Sequence, residues 1–151
     1  MVISFFGHAD FDFRIIKKEN LVTLLEELTE NKKVDFYLGG YGRFDNFAKE
    51  CCEEYCKKHS NAKRFFITPY IGCYLETRKS DLESSYDEIL YPPIENVPRK
   101  YAILKRNEWI IIKSDVVIFF VERAFGGANA ALEFAKRKKK KAINLYTMFA
   151  K

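Results

Sequence analysis

Residues 36–45 begin as a short apolar stretch, which runs directly into three glycines and then into a predicted helix. Its sequence is Phe-Tyr-Leu-Gly-Gly-Tyr-Gly-Arg-Phe-Asp, and a Gly-Gly-x-Gly run at a strand end leaves backbone N–H groups able to face an anion. A tight strand-to-helix turn without a ligand uses glycines in the same way, so the motif is weak by itself. It becomes informative because Gly7-His8 and Gly126-Gly127 also follow predicted strands.

Apolar runs and amphipathic segments alternate along the chain, which predicts an α/β fold. The predicted strands are Val2–Phe6, Val34–Leu38, Arg64–Ile71, Asp115–Val121 and Ala142–Tyr146. The segments between them carry apolar residues at helical spacing and are long enough for crossovers, so the strands are expected to be parallel. Right-handed crossovers place helices on both faces. We predict a single doubly wound Rossmann-like domain over residues 1–151, with a five-stranded, mostly parallel sheet in the order 3-2-1-4-5.

The segment 72–98 interrupts this alternation, because it is polar, contains prolines and has only a short apolar piece. Connections of this length are uncommon in compact domains unless they carry function. We therefore predict that it forms a lid over the site or an element of a dimer.

Composition narrows the class of protein. No apolar run approaches the length of a membrane helix, and the start of the chain lacks the layout of a signal peptide, so we expect a cytoplasmic protein. The cysteines Cys51, Cys52, Cys56 and Cys73 form no Cys-x-x-Cys pair and have no histidine at zinc spacing. All four are expected to be free thiols, with Cys51 and Cys52 packed in the core, and neither a metal site nor a cofactor is expected.

The net charge of +5 includes a basic run at Lys136–Lys141. Such a run is a candidate for nucleic-acid binding. It also closes a predicted helix, where cations meet the negative end of the helix dipole, and a solvated helix end needs no partner. We therefore do not expect nucleic acid as a partner, and keep binding through this run as a remote alternative.

The glycine clusters all follow strand ends, and ligands of such sheets bind beyond the carboxyl ends of the strands. The candidate ligand-binding residues are Gly7, His8, Gly39, Gly40, Gly42, Asp45, Arg106, Asn107, Gly126, Gly127 and Asn129. For His8 a ligand-free hydrogen bond at the strand end is an equal alternative. Asp45 is stabilised by a helix dipole with or without a ligand, and Arg106 is also explained by a salt bridge to a carboxylate.

Glu133 is the candidate catalytic residue, since it follows Gly127 by one and a half turns on the last long helix. From there a carboxylate can reach a sugar and assist glycosidic cleavage. The alternative is an exposed glutamate that pairs with Arg137 four residues later.

These motifs together resemble the SLOG superfamily, a group of Rossmann-like domains related to LOG-type phosphoribohydrolases and DprA-like proteins. The resemblance is carried by Phe-Phe-Gly-His at residues 5–8, the stretch 36–45, Arg-Asn-x-Trp at 106–109, Gly-Gly-Ala at 126–128 with Leu-Glu-Phe-Ala at 132–135, and Lys-Ala-Ile-Asn-Leu at 141–145. It implies a nucleotide-type ligand held by Gly39, Gly40, Gly126, Gly127 and Glu133.

One motif departs from the enzymes of that group. They carry Pro-Gly-Gly-x-Gly-Thr-x-x-Glu before the helix, whereas residues 125–133 here are Phe-Gly-Gly-Ala-Asn-Ala-Ala-Leu-Glu. The Gly-Thr pair that holds phosphate is missing. We therefore expect a domain that binds a nucleotide or an NAD-derived, ADP-ribose-like molecule, with a nucleotide N-glycosidic hydrolase or transferase as the alternative. A homodimer is expected, partly from the resemblance.

Overall fold

The computed structural model describes residues 1–71 and 79–149 and contains a six-stranded parallel sheet. Its strands are β1 (Val2–Gly7), β2 (Val34–Leu38), β3 (Ala62–Ile67), β4 (Glu88–Leu90), β5 (Val116–Phe120) and β6 (Lys141–Asn144). They lie in the order β4-β3-β2-β1-β5-β6, and each neighbouring pair is parallel. The predicted α/β class with a parallel sheet is confirmed.

Helices connect the strands, as parallel pairing requires. They are α1 (Lys18–Thr29), α2 (Gly42–Lys58), α3 (Lys79–Ser85), α4 (Ala102–Lys113, after a 3-10 turn at Arg99–Tyr101), α5 (Gly127–Arg137) and α6 (Leu145–Phe149). α2 and α5 both begin at glycine turns beyond the carboxyl ends of β2 and β5. The sheet therefore brings the starts of α2 and α5 together at the carboxyl ends of its strands.

Alternate residues of the strands pack into two cores. On one face, Ile3, Phe5 and Phe36 meet the apolar sides of α1, α2, α3 and α6. On the other face, Val117 and Phe119 meet α4 and α5. β5 is buried over its whole length because both of its faces are covered, which explains its uninterrupted apolar sequence. The helices thus lie on both sides of the sheet.

The sheet differs from the prediction by one strand. The prediction had five strands in the order 3-2-1-4-5, whereas β4 adds a sixth strand outside β3. Only three residues form it, and they pair with Phe65, Phe66 and Ile67. Such a short run, partly exposed at the sheet edge, has no periodicity strong enough to be recognised in the sequence.

β3 and β6 also end two or more residues earlier than predicted. β3 stops at Ile67 rather than Ile71, because Pro69 lacks an N–H group and Thr68 Oγ1 accepts a hydrogen bond from Tyr70 N in a turn. β6 stops at Asn144, whose side-chain oxygen accepts hydrogen bonds from the N–H groups of Val121 and Tyr146. The chain then turns into α6 instead of continuing as a strand.

Part of the segment 72–98 lies outside the described residues, namely 72–78, including Cys73. The described part contains α3 and β4 and extends the sheet beyond β3. Leu82 and Tyr86 of this part are buried in the first core. The roles of the segment as a lid or dimer element, and the single-domain organisation, stay predictions.

The described cysteines are free thiols on α2. Cys51 and Cys52 are fully buried in the first core, and Cys56 packs against it. Burial raises the pKa of Cys51 to about 12 and that of Cys56 to about 11, so neither thiol is a nucleophile at neutral pH. Packing explains these residues.

None of the helices in the described ranges is long and apolar enough to span a bilayer. The longest, α2, has 17 residues with charged side chains along its length. The cytoplasmic location stays a prediction.

Candidate functional site

A pocket of about 370 Å³ lies beyond the carboxyl ends of β1, β2 and β5. Its floor is the end of β1, and its walls are the glycine turn after β2, the first turns of α4, and the residues between β5 and α5. We call it the carboxyl-end pocket. The sheet order explains the position of the pocket. β1 lies between β2 and β5, so the strand order reverses at β1, and this is the point at which open parallel sheets bind ligands.

Arg106 of α4 fixes the turn after β2. Its side chain is 3% exposed, and Nη1 donates hydrogen bonds to the carbonyl oxygens of Gly39, at 3.0 Å, and Ile67, at 2.6 Å. Nε donates to Asn107 Oδ1 at 2.9 Å. Arg106 therefore ties the ends of β2 and β3 to α4, and it forms a wall of the pocket rather than a mobile clamp.

Asp45, on the first turn of α2, faces the same turn. Its Oδ2 accepts a hydrogen bond from Tyr41 N at 2.9 Å. Burial raises the pKa of Asp45 to about 7, and the Tyr41 N–H and the Arg106 guanidinium only partly oppose this effect. A proton on this carboxyl group is therefore gained or lost near neutral pH, inside the pocket.

His8 is held by the protein itself. It is 5% exposed, and its Nε2 accepts a hydrogen bond from Glu122 N at 3.0 Å. Burial lowers the pKa of His8, and the charge of Arg123 lowers it further. An accepting, neutral imidazole carries no positive charge for a phosphate, so the ligand-free alternative describes its geometry.

Arg123 and Phe125 lie between β5 and α5 at the mouth of the pocket. Phe125 is 69% exposed, and the guanidinium carbon of Arg123 lies 5.7 Å from the centroid of its ring. Both terminal nitrogens of Arg123 donate to Asp10, at 2.8 and 2.9 Å. Tyr41 lines the opposite wall, with Arg106 at 5.5 Å from its ring centroid.

Gly126 and Gly127, where the turn after β5 leads into α5, are open to solvent. Gly126 has φ 91° and ψ 177°, a conformation for glycine, and it precedes α5 without a side-chain cap. A Cβ atom built at either Gly126 or Gly127 would meet no described atom within 4 Å. The first N–H groups of α5 are therefore approachable from the pocket.

The pocket brings together most of the predicted ligand-binding residues. Those on its lining are Gly7, His8, Gly39, Asp45, Arg106, Asn107, Gly126 and Gly127. Three others do not line it: Gly40 and Gly42 line different cavities, behind the turn after β2, and Asn129 follows on α5. Their roles as ligand-binding residues stay predictions.

Glu133 does not line the pocket. Its side chain is 51% exposed, and its Oε1 lies 3.7 Å from Lys136 Nζ, three residues later on α5. The predicted alternative of an exposed, paired glutamate describes this position, although the partner is Lys136 and not Arg137. Among the described residues no glutamate lines the pocket, and the catalytic role of Glu133 stays a prediction.

Sequence reasoning missed Arg123, Phe125 and Tyr41. The signal was available, since Arg123 and Phe125 directly precede Gly126 and Tyr41 lies inside the stretch 36–45. An arginine next to aromatic residues in glycine turns is a combination suited to phosphates and bases. The glycines alone drew attention to backbone contacts only.

Comparison with solved structures relates the fold to known proteins. DNA processing protein A from Helicobacter pylori, described for its unique single-stranded DNA binding mode, superposes with a TM-score of 0.64 at 22% identity. The match covers 94% of this chain and 63% of that one. DNA processing protein A (DprA) from Streptococcus pneumoniae superposes at 0.63 with 11% identity, over 93% of this chain and 48% of that one.

The chain has the fold of DNA processing protein A. This finding confirms the resemblance to DprA-like Rossmann domains. The chain spans about 63% and 48% of the lengths of the two proteins. No protein-family profile matches the sequence, and no curated protein matches it.

These neighbours correct our functional prediction. We expected a nucleotide-type or ADP-ribose-like small molecule and did not expect nucleic acid, but a solved structure with this fold is that of a single-stranded DNA binding protein. The physical reason for the error is that strand-end glycines and a helix start favour a phosphate in either ligand. They do not distinguish a free nucleotide from one in a polymer.

Proposed function

We propose that the chain binds single-stranded nucleic acid, with a base and its phosphate in the carboxyl-end pocket. The observation that carries the proposal is the exposed Phe125 ring with Arg123 beside it, at the mouth of a pocket in which Gly126 and Gly127 are open to solvent. Base stacking on an aromatic residue contributes about 1–3 kcal/mol per base and tolerates any sequence. Similarity of fold to a single-stranded DNA binding protein supports the same ligand.

The charges around the pocket suit a phosphate. Arg123 pairs with Asp10, but its side chain is 35% exposed and that of Asp10 is 67% exposed, so a phosphate can replace the carboxylate. The first turn of α5 adds unpaired N–H groups. Protonation of Asp45 near neutral pH removes the negative charge on the opposite wall.

The basic run Lys136–Lys141 lies elsewhere. α5 starts at the pocket and ends at Arg137, so the run begins in the last turn of this helix, at its far end, and continues to the start of β6. Lys140 Nζ donates hydrogen bonds to the carbonyl oxygens of Ile112, at 2.8 Å, and Ser114, at 3.2 Å. Part of the run therefore stabilises the end of α4, and we place the nucleic acid in the pocket.

Fluorescence anisotropy with labelled oligothymidylate tests the proposal. We expect Arg123→Gln and Phe125→Ala each to weaken binding by about tenfold. Lys138→Gln removes the same charge from the basic run and is expected to change affinity by less than about twofold. Circular dichroism on each variant checks that the fold is retained.

Two results would count against this proposal. If the unaltered chain does not bind single-stranded oligonucleotides in low salt, the function is wrong. If Lys138→Gln weakens binding more than Arg123→Gln and Phe125→Ala do, nucleic acid binds at the basic run and the pocket is the wrong location.

A further inference from the structure

A second and larger cavity adjoins the carboxyl-end pocket. It has a volume of about 800 Å³ and lies between the start of α1, the start of α2 and the connection from β1 to α1. We call it the α1–α2 groove. Ala9 lines both the groove and the pocket, so the two are neighbours across this one residue.

The boundary between the two cavities is low. Ala9 is exposed, and its carbonyl oxygen accepts a hydrogen bond from Arg43 N at 3.0 Å. Gly42, beside it, has φ 88°, and a Cβ atom there would lie 2.8 Å from Ala9 Cα. Ala9 and Gly42, which meet at this boundary, therefore carry no side chain larger than a methyl group. They leave room for an extended nucleic-acid strand to pass from one cavity to the other.

Cations outnumber acids on the lining of the groove, which contains Arg14, Lys17, Lys18 and Arg43 beside Glu19 and Glu50. Lys17 and Arg43 are exposed, and neither makes an ion pair within the described residues. Arg14 also lines it and pairs with Asp12 on the surface. Lys18 pairs with Glu50 at 2.8 Å. Asp12 attracts Arg43 electrostatically without forming an ion pair with it, so a phosphate can contact Lys17 and Arg43 but competes with Asp12 for Arg43.

An aromatic residue lies beside these cations. Phe13 is 68% exposed, whereas Phe47 below it in the lining is 3% exposed. An exposed ring among cations is also found at the pocket, where Phe125 lies beside Arg123, although Arg123 is paired with Asp10. It is the pattern with which proteins bind single strands without sequence preference.

We propose that the α1–α2 groove binds a second segment of the same single strand that occupies the carboxyl-end pocket. A base stacks on Phe13, and phosphates contact Arg43 and Lys17. Charge complementarity and the shared Ala9 select this occupant, and the inference rests on the proposed function. An acidic, partly apolar peptide is the competing occupant, which the experiment below separates.

The test compares short and long labelled oligothymidylates, of about four and about twelve nucleotides, by anisotropy. We expect the long oligonucleotide to bind more tightly, because it reaches both cavities and because it can also place different nucleotides in the same site. In Phe13→Ala and in Arg43→Gln we expect this advantage to fall by about tenfold, while binding of the short one changes by less than about twofold. Lys58→Gln, at the exposed far end of α2, is the matched control and should leave both unchanged.

The outcomes separate the two proposals. If neither oligonucleotide binds, the proposed function itself fails. If both bind but Phe13→Ala and Arg43→Gln leave the advantage of the long one intact, the groove is not part of the strand path. If a labelled peptide of alternating Asp and Phe binds in an Arg43-dependent manner and DNA binding does not depend on Arg43, the groove belongs to a protein partner and the inference is overturned.

Discussion

Glycine turns follow β2 and precede α5, and they meet the rest of the protein in opposite ways. A Cβ atom at Gly40 would overlap the ring of Phe66, and one at Gly42 would press on Ala9. At Gly126 and Gly127 it would meet no described atom within 4 Å. The first turn uses its glycines for internal packing, whereas the second keeps its backbone open to the pocket.

This difference shows that two similar glycine-rich turns have glycines for different physical reasons. The turn after β2 is held by Arg106 and by the hydrogen bond from Tyr41 N to Asp45, so it forms a rigid wall. The turn before α5 carries the half-buried Arg123 and the exposed Phe125. We therefore expect substitutions at the first turn to change mainly stability and those at the second to change mainly binding.

The largest expected effect is that of Arg106→Leu. The substitution leaves the buried carbonyl oxygens of Gly39 and Ile67 without their charged donor, which we expect to lower the free energy of unfolding by about 3–5 kcal/mol. Urea denaturation followed by circular dichroism measures it. Arg123→Leu, whose partner is exposed, is the control, and equal losses in the two variants would contradict the comparison.

Gly40→Ala is expected to follow. Gly40 has φ +74°, and the new methyl group would displace the Phe66 ring, so we expect a loss of about 2–4 kcal/mol in the free energy of unfolding. The matched variant is Gly127→Ala, where the backbone is ordinary and space is free. A change within about 0.5 kcal/mol is expected there. A similar loss in both variants would show that the second turn is also packed.

Gly127→Ala should act on binding instead. A methyl group at the open start of α5 keeps an oligonucleotide phosphate from approaching the first N–H groups, and we expect affinity to fall by about fivefold. Anisotropy with oligothymidylate measures this change on a variant of unaltered melting temperature. Unchanged affinity would exclude the start of α5 from the binding surface.

The smallest expected effect is a pH dependence set by Asp45. Its folded pKa, about 7 instead of 3.8, means that the carboxyl group is neutral below this value and negative above it. Its contribution to stability is therefore complete below its unfolded pKa and is lost as pH rises towards 7. A negative Asp45 also repels phosphate, so affinity should fall about threefold between pH 6 and pH 8.

Asp45→Asn checks this assignment. We expect the variant to lose most of the pH dependence of oligonucleotide affinity over the same range. Burial and the charge of Arg123 lower the pKa of His8, which shifts its titration towards the acidic end of this range. A dependence that persists in Asp45→Asn would point to another titrating group.

Sequence patterns predicted the frame of the site well. Uninterrupted apolar runs such as Val116–Phe120 indicate strands that are buried on both faces, and the glycines that follow them mark the carboxyl edge. Single side chains were harder to assign. Arg106 and His8 are residue types that often bind ligands, but here their side chains form hydrogen bonds with backbone groups of the protein itself.

The sequence by itself determined the α/β alternation, the parallel strands and the edge at which the glycine clusters meet, because hydrophobic periodicity and glycine are local signals. Only the tertiary structure decided which glycines are in close contact with neighbouring residues and which are open. It also showed that Glu133 lies outside the pocket lining, whereas Arg123 and Phe125 lie at the mouth of the pocket. The contacts that leave no space at Gly40 and Gly42 are made with Phe66 and Ala9, which lie far from them in the chain, and no local pattern encodes them.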